Sequence, residues 1–178
     1  MLKISFATAR SAKNKAIALT VAKGAKLGPE GKKLDKAVGG AIARGLKGAA
    51  SFKGKEGQTL LLRAPTKSGP SLIALVGVGD VKEIGLVDYE KAGGTAYATL
   101  AKDGVGEGAL IVDNYKDAVC PVADAAMHAA LGAQLAAYRF DKYRTKTKPP
   151  VSKLKAMTCV VAGAAEVKKA YGEMQSTA

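Results

Sequence analysis

Aromatic residues are scarce in this chain of 178 residues: they make up 5% of the sequence, and tryptophan is absent. This scarcity argues against a large aromatic binding platform and leaves the core to Ala, Val, Leu and Ile. With 48% hydrophobic and 24% charged residues, the composition is that of an ordinary globular protein. The length fits one compact domain of about 50 to 250 residues, so we expect residues 1–178 to form a single domain.

Cysteines and long apolar runs are also in short supply. The two cysteines, Cys120 and Cys159, are too few for a disulfide framework and too far apart for a zinc spacing, so we expect both to be reduced packing residues. No run approaches the roughly 20 apolar residues of a membrane-spanning helix, and the opening residues MLKISFATAR lack the layout of a signal peptide. Both observations predict a cytoplasmic protein that does not enter a membrane.

Positive charge is in excess and is unevenly distributed, with a formal net charge of +13. Residues 1–68 hold 15 Lys and Arg against 3 Asp and Glu, residues 69–141 hold 5 against 10, and residues 142–178 hold 8 against 2. Such asymmetry permits binding to nucleic acid or to an acidic partner, although lysine-rich solvated faces are common.

Apolar and alternating segments predict strands at residues 2–7, 16–22, 60–64, 71–76, 109–112 and 156–162. Between the second and third strands, Leu34, Val38, Ala41 and Ile42 share the spacing of one helix face, which predicts a single helix there. Gly45 and Gly48 are natural stops for this helix, and residues 53–57 have the composition of an exposed hairpin tip.

Three more helices are predicted further along the chain. Asp88 can cap a helix that runs to about residue 102, with Gly104 past its end. Inside it, Gly93 and Gly94 each weaken the helix by about 1 kcal/mol relative to Ala, which predicts a compensating close approach of another backbone. The next helix starts near Pro121 and runs to about residue 138, and a short helix spans residues 166–174. This order of elements predicts a three-layer α/β/α sandwich with a mixed, largely parallel sheet.

Gly77-Val78-Gly79-Asp80 follows one of the predicted strands, at the end where ligands of such sheets usually bind. Glycines there can let backbone N–H groups approach a phosphate, which makes Gly77, Gly79 and Asp80 a candidate ligand loop. The segment lacks the third glycine of the dinucleotide fingerprint and the Gly-Lys-Ser/Thr ending of a nucleoside triphosphate loop. A tight structural turn also explains it, because glycine is sterically free.

Neither a catalytic nor a metal-binding constellation can be recognised. His128 is the only histidine and has no Cys or His at ligand spacing, so a packed or surface-edge role is favoured. Asp113 ends a strand, while Asp117 and Asp124 flank the start of the following helix, where capping explains their charge. A two-metal hydrolytic site needs a denser acidic cluster. We therefore predict no catalytic and no metal-binding residue in this chain.

The segment from Lys142 to Lys155 contains no acidic residue and includes the pair Pro149-Pro150, which predicts an exposed, extended connector. Tyr138, Phe140 and Tyr143 offer possible stacking surfaces beside it. Its basic side chains could neutralise nucleic-acid phosphates, although exposed linkers are often simply solvated and charged. The candidate nucleic-acid contacts are Lys142, Arg144, Lys146, Lys148, Lys153 and Lys155.

Two segments resemble the amino-terminal domain of the leucyl (cytosol) aminopeptidases. SLIALVGVGDVKEIGLVDYEKAGGTAYATLAKDG resembles the strand, Gly-x-Gly loop and Ala-Gly-Gly helix of that domain. AALGAQLAAYRFDKYRTKTK resembles its helix ending in Tyr-Arg-Phe-Asp-x-Tyr and Lys/Arg-Thr, matched by Tyr138, Arg139, Phe140, Asp141, Tyr143, Arg144 and Thr145. The resemblance covers roughly residues 57–165. One departure is Leu131, which precedes Gly132 where the family often has Glu.

The resemblance implies a macro-domain-like fold and a hexameric parent enzyme, a metallo-exopeptidase that removes N-terminal residues such as leucine. Family members continue into a carboxyl-terminal domain with two divalent metal ions, manganese or zinc, and an Asn-Thr-Asp-Ala-Glu-Gly-Arg segment. That segment does not occur in this sequence, so no catalytic residue can be carried over and the catalytic domain becomes the expected partner. The resemblance implies a role in assembly and access control, and some bacterial relatives also bind DNA through this region.

Three hypotheses follow from the sequence. The first is a non-catalytic assembly domain of a cytoplasmic leucyl aminopeptidase. The second is a DNA-binding module, and the third is a macro-like domain that binds a nucleotide or ADP-ribose near Gly77–Asp80.

Overall fold

A computed structural model of the protein describes residues 1–11, 14–63, 65–142 and 152–177. Six strands and five helices are formed by these residues. In chain order they are β1 (Lys3–Ala7), β2 (Ala16–Ala22), α1 (Pro29–Ala37), α2 (Ala41–Gly48), β3 (Thr59–Arg63), β4 (Leu72–Gly79), α3 (Leu86–Lys102), β5 (Glu107–Ile111), α4 (Val122–Lys142), β6 (Ala156–Val160) and α5 (Ala164–Ser176).

The strands form one mixed sheet in the order β1-β6-β5-β2-β4-β3. Within the described residues β3 pairs with β4 in antiparallel fashion, and the other pairings are parallel. The central strand β2 is buried at every position, and β4 is buried from Leu72 to Val78. Their runs, which are apolar apart from Thr20, are typical of parallel strands that are covered on both faces.

Helices cover both faces of the sheet, and each face has its own hydrophobic cluster. The first cluster joins the sheet to α3, α4 and α5, and the second joins it to α1 and α2. Strand β2 serves both, because Ala16 and Ala18 point into the first cluster and Ile17, Leu19 and Val21 into the second. The predicted α/β/α sandwich with a largely parallel sheet is confirmed.

The single helix predicted around Leu34–Ile42 is wrong, because two helices stand there. Gly39 and Gly40 have φ angles of +64° and +77°, a conformation that glycine adopts readily and that ends α1. The four residues that suggested one helix face nevertheless pack in the same cluster. The spacing therefore identified the buried side chains correctly and missed the break between the helices.

The amino-terminal end of α2 is capped by a side chain from α1. Asp35 Oδ1 accepts hydrogen bonds from the N–H groups of Ile42 at 2.8 Å and Ala43 at 3.1 Å. Gly45, predicted as a stop, lies inside α2, where a Cβ would stand 2.5 Å from Leu62 Cδ2. Gly45 is thus a packing residue, and α2 ends at Gly48 as predicted.

The remaining helices lie close to their predicted positions. The N-cap residue of α3 is Gly85, not Asp88. Asp88 lies in the first turn of the helix, where its Oδ2 accepts the N–H of Gly85 at 2.8 Å. Gly104 follows the end of α3 with a φ of +73°. Helix α4 begins directly after Pro121 and extends to Lys142, further than predicted. None of the described helices combines the length and apolar character that crossing a membrane would require.

Residues 53–57 are exposed apart from Gly54, as predicted, but they are not a hairpin tip, because they lie between α2 and β3. Gly54 is buried, and its carbonyl accepts the N–H of Gly79 at 2.9 Å. A Cβ on Gly77 would lie 2.1 Å from the carbonyl oxygen of Lys55. The backbone of this segment therefore packs against the end of β4. The glycines of β4 allow this contact because they have no side chain.

The crossing of α3 and α4 confirms the predicted close backbone approach. A Cβ on Gly93 would lie 1.8 Å from the carbonyl oxygen of Ala129, and a Cβ on Gly132 would lie 1.8 Å from that of Glu90. Each helix thus presents a glycine to the backbone of the other. This contact compensates for the poor helix propensity of Gly93.

Both cysteines are unpaired packing residues, as expected. Cys159 is buried in the sheet, and burial raises the pKa of its thiol to about 12. Cys120 is half-buried, and burial raises the pKa of its thiol as well, with the charge of Asp124 adding to the shift. The thiolate form, which reacts and binds metals, is disfavoured at both positions.

Candidate functional site

A cleft of about 550 Å³ lies at the carboxyl edge of the sheet, where β2, β4 and β5 end. The chain leaves β2 toward the helices of one face and leaves β4 and β5 toward the helices of the other. Such a change of direction opens a crevice between the loops, which is the usual ligand position in sheets of this type. We call this the carboxyl-edge cleft; its wall includes Lys26, Gly28, Asp80, Asn114 and Tyr115.

Asp113, two residues after the end of β5, caps the amino-terminal end of α1 from behind the cleft. It is 2% exposed, and its Oδ1 and Oδ2 accept the N–H groups of Glu30 at 2.9 Å and Gly31 at 2.7 Å. Oδ1 also accepts the N–H of Asn114 at 2.9 Å. A buried carboxylate is well matched to a helix amino-terminus, whose free N–H groups and dipole favour negative charge.

The sequence of the α1 start is adapted to this carboxylate. A Cβ on Gly28 would lie 2.5 Å from the Cγ of Asp113, and a Cβ on Gly31 would lie 2.9 Å from its Oδ2. Pro29 at the first helical position has no N–H to satisfy. The segment Gly28-Pro29-Glu30-Gly31 therefore leaves space and donors for one internal anion.

Two polar groups hold the end of β5 against the centre of the sheet. The N–H of Asp113 donates to Thr20 Oγ1 at 3.0 Å, and the hydroxyl of Tyr115 donates to the carbonyl oxygen of Thr20 at 2.7 Å. Burial raises the pKa of Tyr115 above its ordinary value, so this phenol remains a neutral donor. The floor of the cleft is thus fixed by hydrogen bonds that need no ligand.

The rim of the cleft is predominantly basic. Five lysines and two aspartates line it. The aspartates are Asp80, whose Oδ1 accepts the N–H of Lys82 at 3.0 Å, and Asp117, which is 3.9 Å from Lys82 Nζ. Within the described residues the other four lysines form no ion pair. They are Lys23, Lys26, Lys32 and Lys116.

The predicted ligand loop is only partly in this cleft. Asp80 is in its wall, whereas Gly77 and Gly79 belong to β4. Their N–H groups donate to the carbonyl oxygens of Gln58 at 2.8 Å and Gly54 at 2.9 Å. These two donors are engaged within the fold, so they are not free to hold a ligand.

The predicted nucleic-acid contacts that the structure describes lie away from the cleft, at the amino edge of the sheet. Lys153 and Lys155 are exposed just before β6, and Lys142 is exposed at the end of α4. Arg144, Lys146 and Lys148 fall outside the described residues. Ser152 and Leu154 are buried, so the last part of the predicted exposed connector alternates between buried and exposed side chains.

His128 has the packed, surface-edge position expected of it. Its Nδ1 is buried without a hydrogen-bond partner and lies 3.6 Å from Glu90 Oε2. Across the described ranges, no group of three or more His, Cys, Asp or Glu side chains could hold a metal ion. Asp124 lies in the first turn of α4.

Sequence reasoning missed Asp113 as a cap and the lysines as a rim. The sequence places Asp113 at a strand end, but its hydrogen-bond partners stand 82 and 83 positions earlier in the chain. One local signal was available in the sequence Gly-Pro-x-Gly at the start of α1. Its first glycine has no side chain that could cap the helix, and nothing nearby in the sequence explains the second glycine. That deficit points to a capping group supplied from elsewhere.

Solved structures share this architecture. A mutant tomato leucine aminopeptidase matches with a TM-score of 0.76 at 19% identity, over 98% of this chain and 36% of that one. The bottromycin maturation enzyme BotP in complex with Mn matches with a TM-score of 0.60 at 17% identity, over 87% and 28%. The macro domain of ganglioside induced differentiation associated protein 2 matches with a TM-score of 0.65 at 15% identity, over 94% and 81%. The fold is therefore that of a macro-like domain.

Sequence comparison identifies the family. Residues 18–147 match the model of the cytosol aminopeptidase family, N-terminal domain. The probable cytosol aminopeptidase of Caulobacter vibrioides is 37% identical over 165 residues, which are 92% of this chain and 32% of that protein. The cytosol aminopeptidase of Pseudomonas aeruginosa is 33% identical over 171 residues, 93% of this chain and 34% of that protein. The chain belongs to the cytosol aminopeptidase family as its N-terminal domain and spans about a third of these relatives.

Proposed function

We propose that this chain is the non-catalytic amino-terminal domain of a leucyl aminopeptidase and that it acts in assembly and in access to the catalytic domain. The family match over residues 18–147 carries the proposal. The peptide chemistry belongs to the part of the relatives that lies outside the match. There two divalent metal ions, manganese or zinc, would polarise the scissile carbonyl and activate water.

An apolar surface on α4 supports a role in assembly. Tyr138 is 60% exposed and Leu135 is 41% exposed, one helical turn apart and beside Met1. A groove of about 440 Å³ runs between them and Gln175 near the end of α5. Exposed aromatic and aliphatic side chains of this kind are typical of contact surfaces, and we assign this one to the catalytic domain.

The test is hydrolysis of leucine amide. We expect no hydrolysis by this chain alone, with or without added manganese, because its described residues lack a cluster of metal ligands. In a chimera, this chain would replace the matching third of the Caulobacter vibrioides relative. We expect the chimera to hydrolyse leucine amide. Light scattering would measure its assembly.

Variants of the chimera separate a contact surface from ordinary exposed residues. Leu135→Ser with Tyr138→Ser should reduce assembly, whereas the matched change Val87→Ser with Val119→Ser, at residues 63% and 64% exposed, should leave it unchanged. Hydrolysis by the isolated chain would contradict the proposal. Unaltered assembly of the Leu135 and Tyr138 variant would contradict the assigned surface.

DNA binding is a second candidate function, favoured by the charge of the α1–α2 layer. Residues 23–55 contain nine Lys and Arg against two acidic residues. Both acidic residues are engaged, Glu30 with Lys33 at 3.0 Å and Asp35 with the start of α2. The α1–α2 layer is thus a second basic surface, in addition to the connector that the sequence predicts.

A gel mobility shift tests this candidate. We expect duplex DNA to be shifted, with an affinity that falls as a power of salt concentration because bound lysines release counterions. Lys146→Glu with Lys148→Glu should weaken binding and lower the salt slope by about two. Lys168→Glu with Lys169→Glu on α5 is the charge-matched control and should bind as the parent does. An absent or salt-independent shift would exclude DNA binding.

A further inference from the structure

We propose that the carboxyl-edge cleft binds a small molecule that carries two or more linked phosphates, held by lysine ammonium groups and not by backbone amides. The inference does not rest on the aminopeptidase assignment, because it uses only the geometry and charge of the cleft. It also differs from binding at the predicted glycine loop, whose N–H groups are engaged within the fold.

The first argument is charge. Lys23, Lys26, Lys32 and Lys116 line the same cleft, and within the described part of the chain none of them forms an ion pair. Lysine-rich walls around a concave space focus a positive potential and concentrate anions there. A polyvalent anion in the cleft would be attracted by these ammonium groups at the same time.

The second argument is the position of Asp113. In many proteins a helix amino-terminus that faces such a crevice binds the phosphate of a ligand. Here that position on α1 is filled, because Glu30 and Gly31 donate to the buried carboxylate of Asp113 at 2.9 and 2.7 Å. A phosphate at this point would meet another anion. The ligand must therefore place its charge further out, among the lysine side chains.

The third argument is size and the nature of the donors. The cleft volume of about 550 Å³ lies within the range of about 300–1,000 Å³ that is usual for small-molecule sites, and is larger than one phosphate needs. Lysine acts as a point charge on a flexible stem and so accommodates several phosphate oxygens without a fixed geometry. Several lysines and a large cleft therefore fit a chain of phosphates better than a single one.

Thermal unfolding in the presence of tripolyphosphate tests the proposal, with ionic strength held constant by sodium chloride. We expect a saturable rise in melting temperature, because the cleft exists only in the folded chain. Orthophosphate should require a higher concentration for the same rise. ATP distinguishes the source of the phosphates: tighter binding of ATP than of tripolyphosphate would favour a nucleotide, and equal or weaker binding an inorganic chain.

Paired variants locate the site. Lys26→Gln with Lys32→Gln should weaken tripolyphosphate binding about tenfold, which corresponds to about 1.4 kcal/mol. The charge-matched control Lys168→Gln with Lys169→Gln on α5 should bind as the parent does. Lys26→Arg with Lys32→Arg should retain binding. Without anion, the Gln variant should melt no lower than the parent, because, among the residues that the structure describes, Lys26 and Lys32 form no ion pair that the substitutions would break. If it does not fold, Lys23→Gln with Lys116→Gln replaces it.

Three results would overturn the proposal. The first is a rise in melting temperature that never saturates. The second is equal weakening in the cleft and α5 variants, which would mean diffuse charge attraction only. The third is binding of adenosine as tight as that of ATP, because phosphate would then contribute nothing.

Discussion

Gly132→Ala is expected to lower the free energy of unfolding by about 3 kcal/mol, at the upper end of the usual overpacking range. The added methyl would lie 1.8 Å from the carbonyl oxygen of Glu90 and 2.6 Å from its carbonyl carbon. These are backbone atoms of α3, so a side-chain rotation cannot relieve the clash, and the two helices must separate. The better helix propensity of alanine returns only about 1 kcal/mol.

Urea unfolding followed by circular dichroism would measure this loss. Gly172→Ala is the matched control, because Gly172 lies in α5 with nothing within 4 Å of an added Cβ. That change should raise the free energy of unfolding by about 0.5–1 kcal/mol through helix propensity. If both variants were stabilised alike, the close crossing of α3 and α4 would be disproved.

Asp113→Ala is expected to lower the free energy of unfolding by about 2–4 kcal/mol. The substitution leaves the N–H groups of Glu30 and Gly31 without their acceptor, at a helix start that has no other side-chain cap. Since Asp113 is 2% exposed, water cannot readily replace the lost carboxylate. Thermal and urea unfolding would measure the effect.

Asparagine substitutions give this prediction a sharper control. Asp113 uses both carboxylate oxygens, so Asp113→Asn turns an NH₂ group toward an N–H donor and should lower the free energy of unfolding by about 2 kcal/mol. Asp35 caps α2 through Oδ1 alone, so Asp35→Asn should change it by about 0.5 kcal/mol or less. Equal losses in the two variants would contradict the proposed role of Asp113.

The layered architecture could be predicted from local patterns, because those patterns report burial. Residues 16–22 are apolar apart from Thr20, and this run is the fully buried strand β2. Helix spacing found Leu34, Val38, Ala41 and Ile42 as buried side chains, although the turn at Gly39–Gly40 separates them into two helices. The spacing of apolar residues shows which face of a helix packs against the core. Where one helix ends and the next begins depends on a few φ angles.

The candidate site was less predictable because its residues are assembled from distant segments. Lys26 and Lys116 are separated by α1, α2, β3, β4, α3 and β5 and meet only when the sheet forms. Residues 53–57 have the composition of a loop tip. Their backbone nevertheless packs against the backbone of β4, because Gly77 has no side chain at the point of contact. Such long-range fits leave no period in the sequence.

The central place of β2 has a consequence for synthesis on the ribosome. Ala16 pairs with Leu72, and Ile17 pairs with Ala109, so both neighbours of this strand emerge long after it does. Parallel pairing at such separations is slow, since the intervening chain must be ordered first. Until then the nascent chain exposes seven consecutive residues that are apolar apart from Thr20. Exposed segments of this kind are prone to aggregate and are typical substrates of chaperones.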